Sequence, residues 1–347
     1  MWPSPRAAGN RVGGLWQRED VTAFDPIAWG ARRPAGTVLH LDSAAAGRQS
    51  RATLEATAAH ARLEAECGAY VAQAQVADVL TRLRADVGAL FGVPAAGVAF
   101  VESASAALAA LLDTWPLLPG AAIAVVAAEW GPNIETFERR GLRLVELATD
   151  GFGAIDVAAL ERRLATDPPA LVHLTQTTSH RGLVQPVSAA AAACRAAGVP
   201  LWVDAAQAIG HVDTATGADA AYAPGRKWLA GPRGVGVLAV AADRWESLDV
   251  PRSAMLPSDL PPVGCLESQE AHVAGRIGLA NAVREYLADG PAAIAARLDQ
   301  VGRSTRERLA DVPGWAVVGD PKAPGAITGI RPTAGQDVTS VRRQLLD

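Results

Sequence analysis

Pro200-Leu201-Trp202-Val203-Asp204-Ala205-Ala206-Gln207 is an apolar run too short for a helix, closed by a carboxylate. A run without a wet face suits a strand covered on both sides. Its polar end falls where an open α/β sheet presents ligand-binding groups. Comparable segments recur at 98–101, 122–127, 143–147, 170–174, 220–223 and 235–240, mostly separated by helix-length stretches. This alternation predicts an α/β fold: a doubly wound, mainly parallel sheet with right-handed crossovers. Upstream, residues 50–91 carry Leu54, Leu63, Val71, Leu80, Leu83, Val87 and Leu90 at helical spacing and predict two amphipathic helices. Residues 1–36, rich in Arg, Gly, Pro and Trp, read as a loop-rich arm lying on a neighbour. Past 241 the texture changes: Pro251, Pro257, Pro261 and Pro262 precede helices at 269–287 and 291–309, strands at 315–318 and 326–330, and a helix from 337 onward. The expected organisation is an arm (1–36), a large domain (37–245) and a small α+β domain (246–347) that reads as incomplete, since no closing strand follows its last helix.

With 347 residues, half of them apolar, the chain can bury a large core, and its formal charge of −4 argues against a general nucleic-acid or anionic-membrane binder. The longest apolar run, 121–128, is far short of the roughly 18 residues a membrane helix needs. The first 30 residues show no apolar core of a secretory signal. Cys67, Cys194 and Cys265 are odd in number and widely spaced, which fits neither a disulfide framework nor a zinc site. A reducing, cytoplasmic location is expected.

Four strand ends carry complementary polar groups. Asp204 closes one, although a strand-end Asp is as often a turn or cap residue. Twenty-three residues on, Gly225-Arg226-Lys227-Trp228 holds one of only two lysines, the other 30 cations being arginine. A lone Lys is ordinarily a solvated surface charge, and Lys322, in a Pro/Gly turn, keeps that reading. Lys227 does not, because Arg cannot lose its proton and so cannot replace an amine nucleophile. Glu102-Ser103-Ala104-Ser105 opens an apolar helix, where hydroxyls and free N–H groups make an anion cradle; alone it would be a plain serine cap. Glu129-Trp130-Gly131-Pro132-Asn133 puts an aromatic ring at a fourth strand end, where core packing would otherwise be the reading. An amine for a Schiff base, an acid for a ring nitrogen, an anion cradle and an aromatic plate together describe a site for pyridoxal 5'-phosphate.

The segments Val203-Asp204-Ala205-Ala206-Gln207, Gly225-Arg226-Lys227 and Thr175-Gln176-Thr177-Thr178-Ser179-His180-Arg181-Gly182 resemble the class V aminotransferase (cysteine desulfurase-like) family of fold-type I pyridoxal-phosphate enzymes, over roughly residues 38–290. Within it, Leu41-Asp42-Ser43-Ala44-Ala45-Ala46-Gly47 and Glu267-Ser268-Gln269-Glu270-Ala271-His272 look most like the lyases that cleave hercynylcysteine sulfoxide in ergothioneine biosynthesis. The resemblance implies that Lys227 carries the cofactor and Asp204 pairs with its ring nitrogen. Gln207 would reach the ring hydroxyl, and Trp130 would stack on the ring where the family often has His. Ser103, Ala104 and Ser105 would hold the phosphate with Arg226, which stands where many relatives have His. Pro224 replaces a phosphate-binding Ser, and Ser179 replaces an Asn near the ring hydroxyl. Such enzymes are typically homodimers with shared sites, so Arg233 and His272 would serve the neighbouring subunit. Arg331 is the nearest candidate for gripping a substrate carboxylate.

The chemistry accounts for the residue types. A carboxylate about 4 Å from a pyridinium is worth roughly 4 kcal/mol at an effective dielectric near 20, about three pKa units. That keeps the ring protonated and electron-withdrawing. The implied reaction is β-elimination from an amino-acid-derived sulfur substrate: Lys227 removes the Cα proton, a sulfenate leaves toward the ergothioneine-level thiol, and pyruvate and ammonia remain. A cysteine desulfurase, the nearest alternative, needs a thiolate on a mobile late loop; Cys67 and Cys194 fall on predicted helices and Cys265 comes too soon after Lys227. An epimerase or aminotransferase would share the cofactor residues, and a non-catalytic scaffold would keep the fold without turnover. Gly234-Val235-Gly236-Val237-Leu238-Ala239 mimics a dinucleotide fingerprint but leads into a strand instead of opening a helix. His173, His180 and His211 lack metal-ligand spacing and read as strand-edge or loop residues.

Overall fold

The computed structural model describes residues 24–250, 260–268 and 270–346, together with a short antiparallel pair, β1 (Arg11–Val12) and β2 (Leu15–Trp16). Most of the expected arm, prolines 251 and 257, and Gln269 lie outside the described residues. The first helix, α1 (Pro26–Ala31), starts where Asp25 accepts hydrogen bonds from Ile27 N (2.9 Å) and Ala28 N (3.1 Å), with Pro26 in the first turn.

The stretch expected as two helices forms three: α2 (Arg51–Cys67), α3 (Ala69–Gln75) and α4 (Ala77–Phe91). Gly68, at φ +87°, breaks the chain between the first two, a conformation that side-chain periodicity does not register. Beyond α4 the strands and helices alternate. In chain order they are β3 (Val98–Val101), α5 (Ala104–Thr114), β4 (Ala122–Val125), α6 (Gly131–Arg139), β5 (Arg143–Glu146), α7 (Val157–Thr166), β6 (Leu171–Thr175), α8 (Val187–Ala197), β7 (Leu201–Asp204), β8 (Ala220–Pro224) and β9 (Gly236–Val240).

The seven strands form one sheet in the order β3-β9-β8-β7-β6-β4-β5. Neighbours from β8 through to β5 are parallel, and only β9 runs against its partners. The doubly wound, mainly parallel expectation therefore holds, with β9 inserted in reverse. Strand residues alternate between two cores, the period-2 signature of a sheet covered on both faces. Phe100, Val172, Leu174, Leu201, Val203 and Ala223 meet α4, α7, α8 and a later helix on one side. Val101, Leu171, Trp202, Tyr222 and Leu238 meet α5 and α6 on the other.

That later helix is α9 (Val273–Asp289), whose Leu279 and Val283 belong to the first core. Leu279 underlies the turn after β8: a Cβ on Gly225 would come within 2.7 Å of Leu279 Cδ1, and one on Gly231 within 2.9 Å. Following it, α10 (Pro291–Ala310), the antiparallel pair β10 (Trp315–Val318) and β11 (Gly329–Pro332), and α11 (Val338–Leu346) complete the described chain. The buried guanidinium of Arg306 gathers the 321–325 loop by donating to the carbonyls of Pro321 (3.0 Å), Ala323 (2.6 Å) and Gly325 (3.3 Å). The next residue, Ala326, donates its N–H to His211 Nε2 at 2.8 Å and so ties this loop to the sheet unit.

Leu279→Ala should hollow out the support of the 225–231 turn and cost about 2–5 kcal/mol. Urea denaturation of the purified variant checks this; a loss under 1 kcal/mol would mean that the turn does not rest on this side chain.

Candidate active site

Six of the seven strands point the same way, so their carboxyl ends share one edge, and the polar residues singled out in the sequence gather there. Asp204 ends β7 and is 4 % exposed. Its Oδ1 accepts from Ala206 N at 2.8 Å and its Oδ2 from Asn133 Nδ2 at 3.0 Å. Burial pushes its pKa up, the nearby Glu129 adds to that, and the two donors oppose it.

Lys227 follows the adjacent strand β8, in a turn closed by Ala230 N donating to Lys227 O at 3.0 Å. Ala230 lies in the left-handed region at φ +54°, a conformation that costs energy for a residue with a Cβ. Burial pushes the lysine pKa down; Asp204 pulls it back up and the neighbouring Arg226 lowers it further. The segment 44–47 lies on this turn. Gly47 N donates to Arg226 O at 2.8 Å, and Arg226 Nη1 donates to Ala45 O. A Cβ on Gly47 would come within 2.3 Å of Lys227 O, so only glycine fits there. A cavity of about 250 Å³ opens beside the turn, lined among others by Ser43, Lys227, Trp228, Trp29 and Tyr286. A larger hollow of about 560 Å³, lined by Pro116, Ala121, Ala170 and Pro200, lies where the strands begin and is remote from these groups.

Gln207 spans the two motifs: its Nε2 donates to Ala44 O at 2.9 Å, and its Oε1 accepts from Trp228 Nε1 at 2.7 Å. Trp228 stacks on His211, ring centroids 4.1 Å apart. At the end of β3, Ser103 caps α5 by accepting from Ala106 N at 3.1 Å, which leaves the N–H groups of Ala104 and Ser105 in the open first turn. Trp130 precedes α6 with its side chain half exposed, and Ser179 sits in the turn closed by Gly182 N donating to Thr178 O at 2.9 Å.

The residues fit pyridoxal phosphate on one observation in particular. Asp204 is a buried carboxylate with one neutral donor on each oxygen and, among the described residues, no cation bonded to it, an arrangement that a protonated ring nitrogen would complete. Lys227, on the neighbouring strand end, would hold the aldehyde, and the Ser103–Ser105 turn with Arg226 would hold the phosphate.

Sequence reasoning passed over the groups behind Asp204. His173, expected at an edge or in a loop, is fully buried in the interior strand β6. Its Nδ1 contacts Glu129 Oε2 at 3.0 Å and its Nε2 contacts Tyr222 OH at 2.9 Å. His211 is likewise buried, held between Gln207 O (2.8 Å) and Ala326 N, and burial pushes it down to about 4. Strand parity was the available signal: His173, Thr175, Trp202, Asp204 and Tyr222 occupy same-face positions of three adjacent strands.

Because the folded state raises the pKa of Asp204, its contribution to the stability of the cofactor-free protein is greatest below the ordinary aspartate range near 3.9 and is lost as pH rises through the higher folded value. Because buried His211 contributes with the opposite sign over the same range, the test is the difference between the two proteins: Asp204→Asn should gain stability relative to wild type as pH rises above about 4. Thermal melts of both proteins from pH 4 to 8 test this; parallel curves would contradict it.

The profile of the class-V aminotransferase family matches residues 39–337. A probable hercynylcysteine sulfoxide lyase of Mycobacterium tuberculosis is 48 % identical over 331 residues, covering 93 % of this chain and 82 % of that protein. A cysteine desulfurase of Dickeya dadantii is 27 % identical over 83 % of this chain and 75 % of its own length. Among solved structures, the apo cysteine desulfurase of Thermococcus onnurineus superposes with a TM-score of 0.78 at 20 % identity, covering 89 % of this chain and 82 % of that one. A cystine C-S lyase in complex with its product cysteine persulfide gives 0.78 at 18 % identity, covering 88 % and 86 %. The α/β fold is thus that of known structures, and the chain belongs to the class V aminotransferase family.

Proposed function

We propose that this protein is a pyridoxal-phosphate-dependent carbon–sulfur lyase that performs β-elimination on a cysteine sulfoxide conjugate, hercynylcysteine sulfoxide. The observation that carries the reading is the pairing of Lys227 and Asp204 on adjacent strand ends in a chain 48 % identical to a probable lyase for that compound. When bound, the cofactor supplies an aldehyde for the substrate amine and a cationic ring that draws electrons from Cα. Asp204 would hold the proton on its ring nitrogen. Lys227 Nζ takes the Cα proton, and its burial beside Arg226 favours the neutral amine that this requires. Trp130 would cover the ring, Ser179 would serve its hydroxyl together with Gln207, whose amide is held in place by Ala44 O and Trp228 Nε1, and Ser103, Ala104, Ser105 and Arg226 would hold the phosphate. The Cβ–S bond breaks with the sulfur leaving as a sulfenate, and the three-carbon remnant ends as pyruvate and ammonia.

The thiols support a lyase over a desulfurase. Cys194 is buried in α8, and burial pushes its pKa up to about 12, which makes it inert as a nucleophile. Cys67 ends α2, where its thiol donates to Leu63 O. Cys265 sits in the 3-10 turn Pro262–Leu266. The following Glu267 is anchored, its Oε2 accepting from Arg276 Nη1 at 2.9 Å and its Oε1 from Phe100 N at 2.9 Å. Val38, Leu39 and Leu41, each at least 75 % exposed, lead into the 42–47 segment beside Lys227. Such an apolar strip supports a homodimer whose second subunit covers the site. Three free thiols fit a cytoplasmic setting, and no described helix is long and apolar enough to cross a membrane.

Purified protein given hercynylcysteine sulfoxide should release pyruvate, and Lys227→Ala should lower that rate by about 10³-fold or more. Free cysteine should yield little sulfide; sulfide without pyruvate would overturn the lyase reading. Replacing Cys67, Cys194 and Cys265 together with Ser should leave pyruvate release within about twofold of wild type, because no thiol takes part.

A further inference from the structure

Asn133 stands between two carboxylates. Its Nδ2 donates one hydrogen to Asp204 Oδ2 at 3.0 Å and the other to Glu129 Oε1 at 3.1 Å. Turning the amide over would set its carbonyl oxygen against both acids, so charge alone dictates which way it points. Glu129 is itself immobilised. Besides Asn133, its Oε1 accepts from Trp130 N (2.8 Å) and Thr175 Oγ1, and its Oε2 accepts from His173 Nδ1 (3.0 Å) and Thr175 N (3.0 Å). Five donors on two oxygens keep Glu129 ionised despite its burial, and His173 and Thr175 hold its pKa below the usual range. Behind it, His173 Nε2 meets Tyr222 OH at 2.9 Å. Glu129, Asn133, His173, Thr175 and Tyr222 are all less than a tenth exposed.

An isolated buried carboxylate is costly, and a second one joined to it through a single amide is costlier, so packing alone gives no reason for this array. Its geometry does. Asp204 receives one backbone donor and one side-chain donor, and the side-chain donor is the end of a chain that begins at Tyr222. We propose that Asn133, locked by Glu129, His173 and Tyr222, is a positioning residue that fixes the rotation of the Asp204 carboxylate so that it faces the ring nitrogen of bound pyridoxal phosphate. The role rests on the cofactor reading above. Asn133 touches Asp204 and acts through it.

A double-mutant cycle on cofactor affinity tests the assignment. Apo protein is titrated with pyridoxal phosphate, followed by the visible band and by tryptophan quenching, for wild type, Asn133→Ala, Asp204→Asn and the double variant. Asn133→Ala should weaken binding about tenfold and shift the visible band, the loss of one charge-assisted hydrogen bond. In the Asp204→Asn background the same change should cost less than about twofold, because the group it orients is gone. Equal losses in both backgrounds would overturn the proposal and leave Asn133 a structural residue. Tyr222→Phe, which removes only a hydroxyl, repeats the cycle should Asn133→Ala fail to fold; its effect on affinity should likewise vanish beside Asp204→Asn, and equal losses would again count against the role. Unchanged affinity in Asp204→Asn alone would instead remove the cofactor reading, and this role with it.

Discussion

A carboxylate buried at the end of a central strand, with no cation bonded to it among the described residues, is the constraint around which this molecule is arranged. Water would stabilise Asp204, and the sheet excludes water. The protein compensates in part, with one backbone N–H and one amide. Under the proposed function that remaining deficit becomes useful, because a cationic ring nitrogen would close it. At the same sheet edge, the start of α5 and the Lys227 turn carry groups that would suit the rest of one cofactor: open helix N–H groups, an amine and an arginine.

Much of the fold was legible because strands covered on both faces leave short apolar runs, and each of the seven expected runs became a strand within one or two residues of its expected bounds. Gly68 was not legible as a break, since helical spacing continues across it while its backbone does not. The direction of β9 was equally hidden: a five-residue run such as Gly236–Val240 reads the same in either orientation, and only its pairing with β3 and β8 decides. At the site, Lys227 and Asp204 stood out through scarcity and position. His173 and Tyr222 did not, because each is an ordinary residue until the register of three strands places them on one face, and Glu129, in the turn after β4, joins them only through its hydrogen bond to His173.

The near-absence of lysine makes the surface chemistry consistent with the interior. Arginine supplies almost every cation, and where it is buried it satisfies carbonyls, as Arg306 does in the 321–325 loop and Arg33 does with Trp29 O and Arg48 O. A guanidinium makes such contacts without ever becoming a competing amine. An aldehyde-bearing cofactor therefore meets few groups capable of mispairing with it.

His211 gives the structure one more property. Its ring lies flat on Trp228, the residue after Lys227, while its far nitrogen accepts the N–H of Ala326. Gly325 leaves no room for adjustment, since a Cβ there would reach 2.4 Å from the same nitrogen. The 321–326 loop and the lysine-bearing turn consequently share this imidazole as a contact, so a substitution of His211 would loosen both at once.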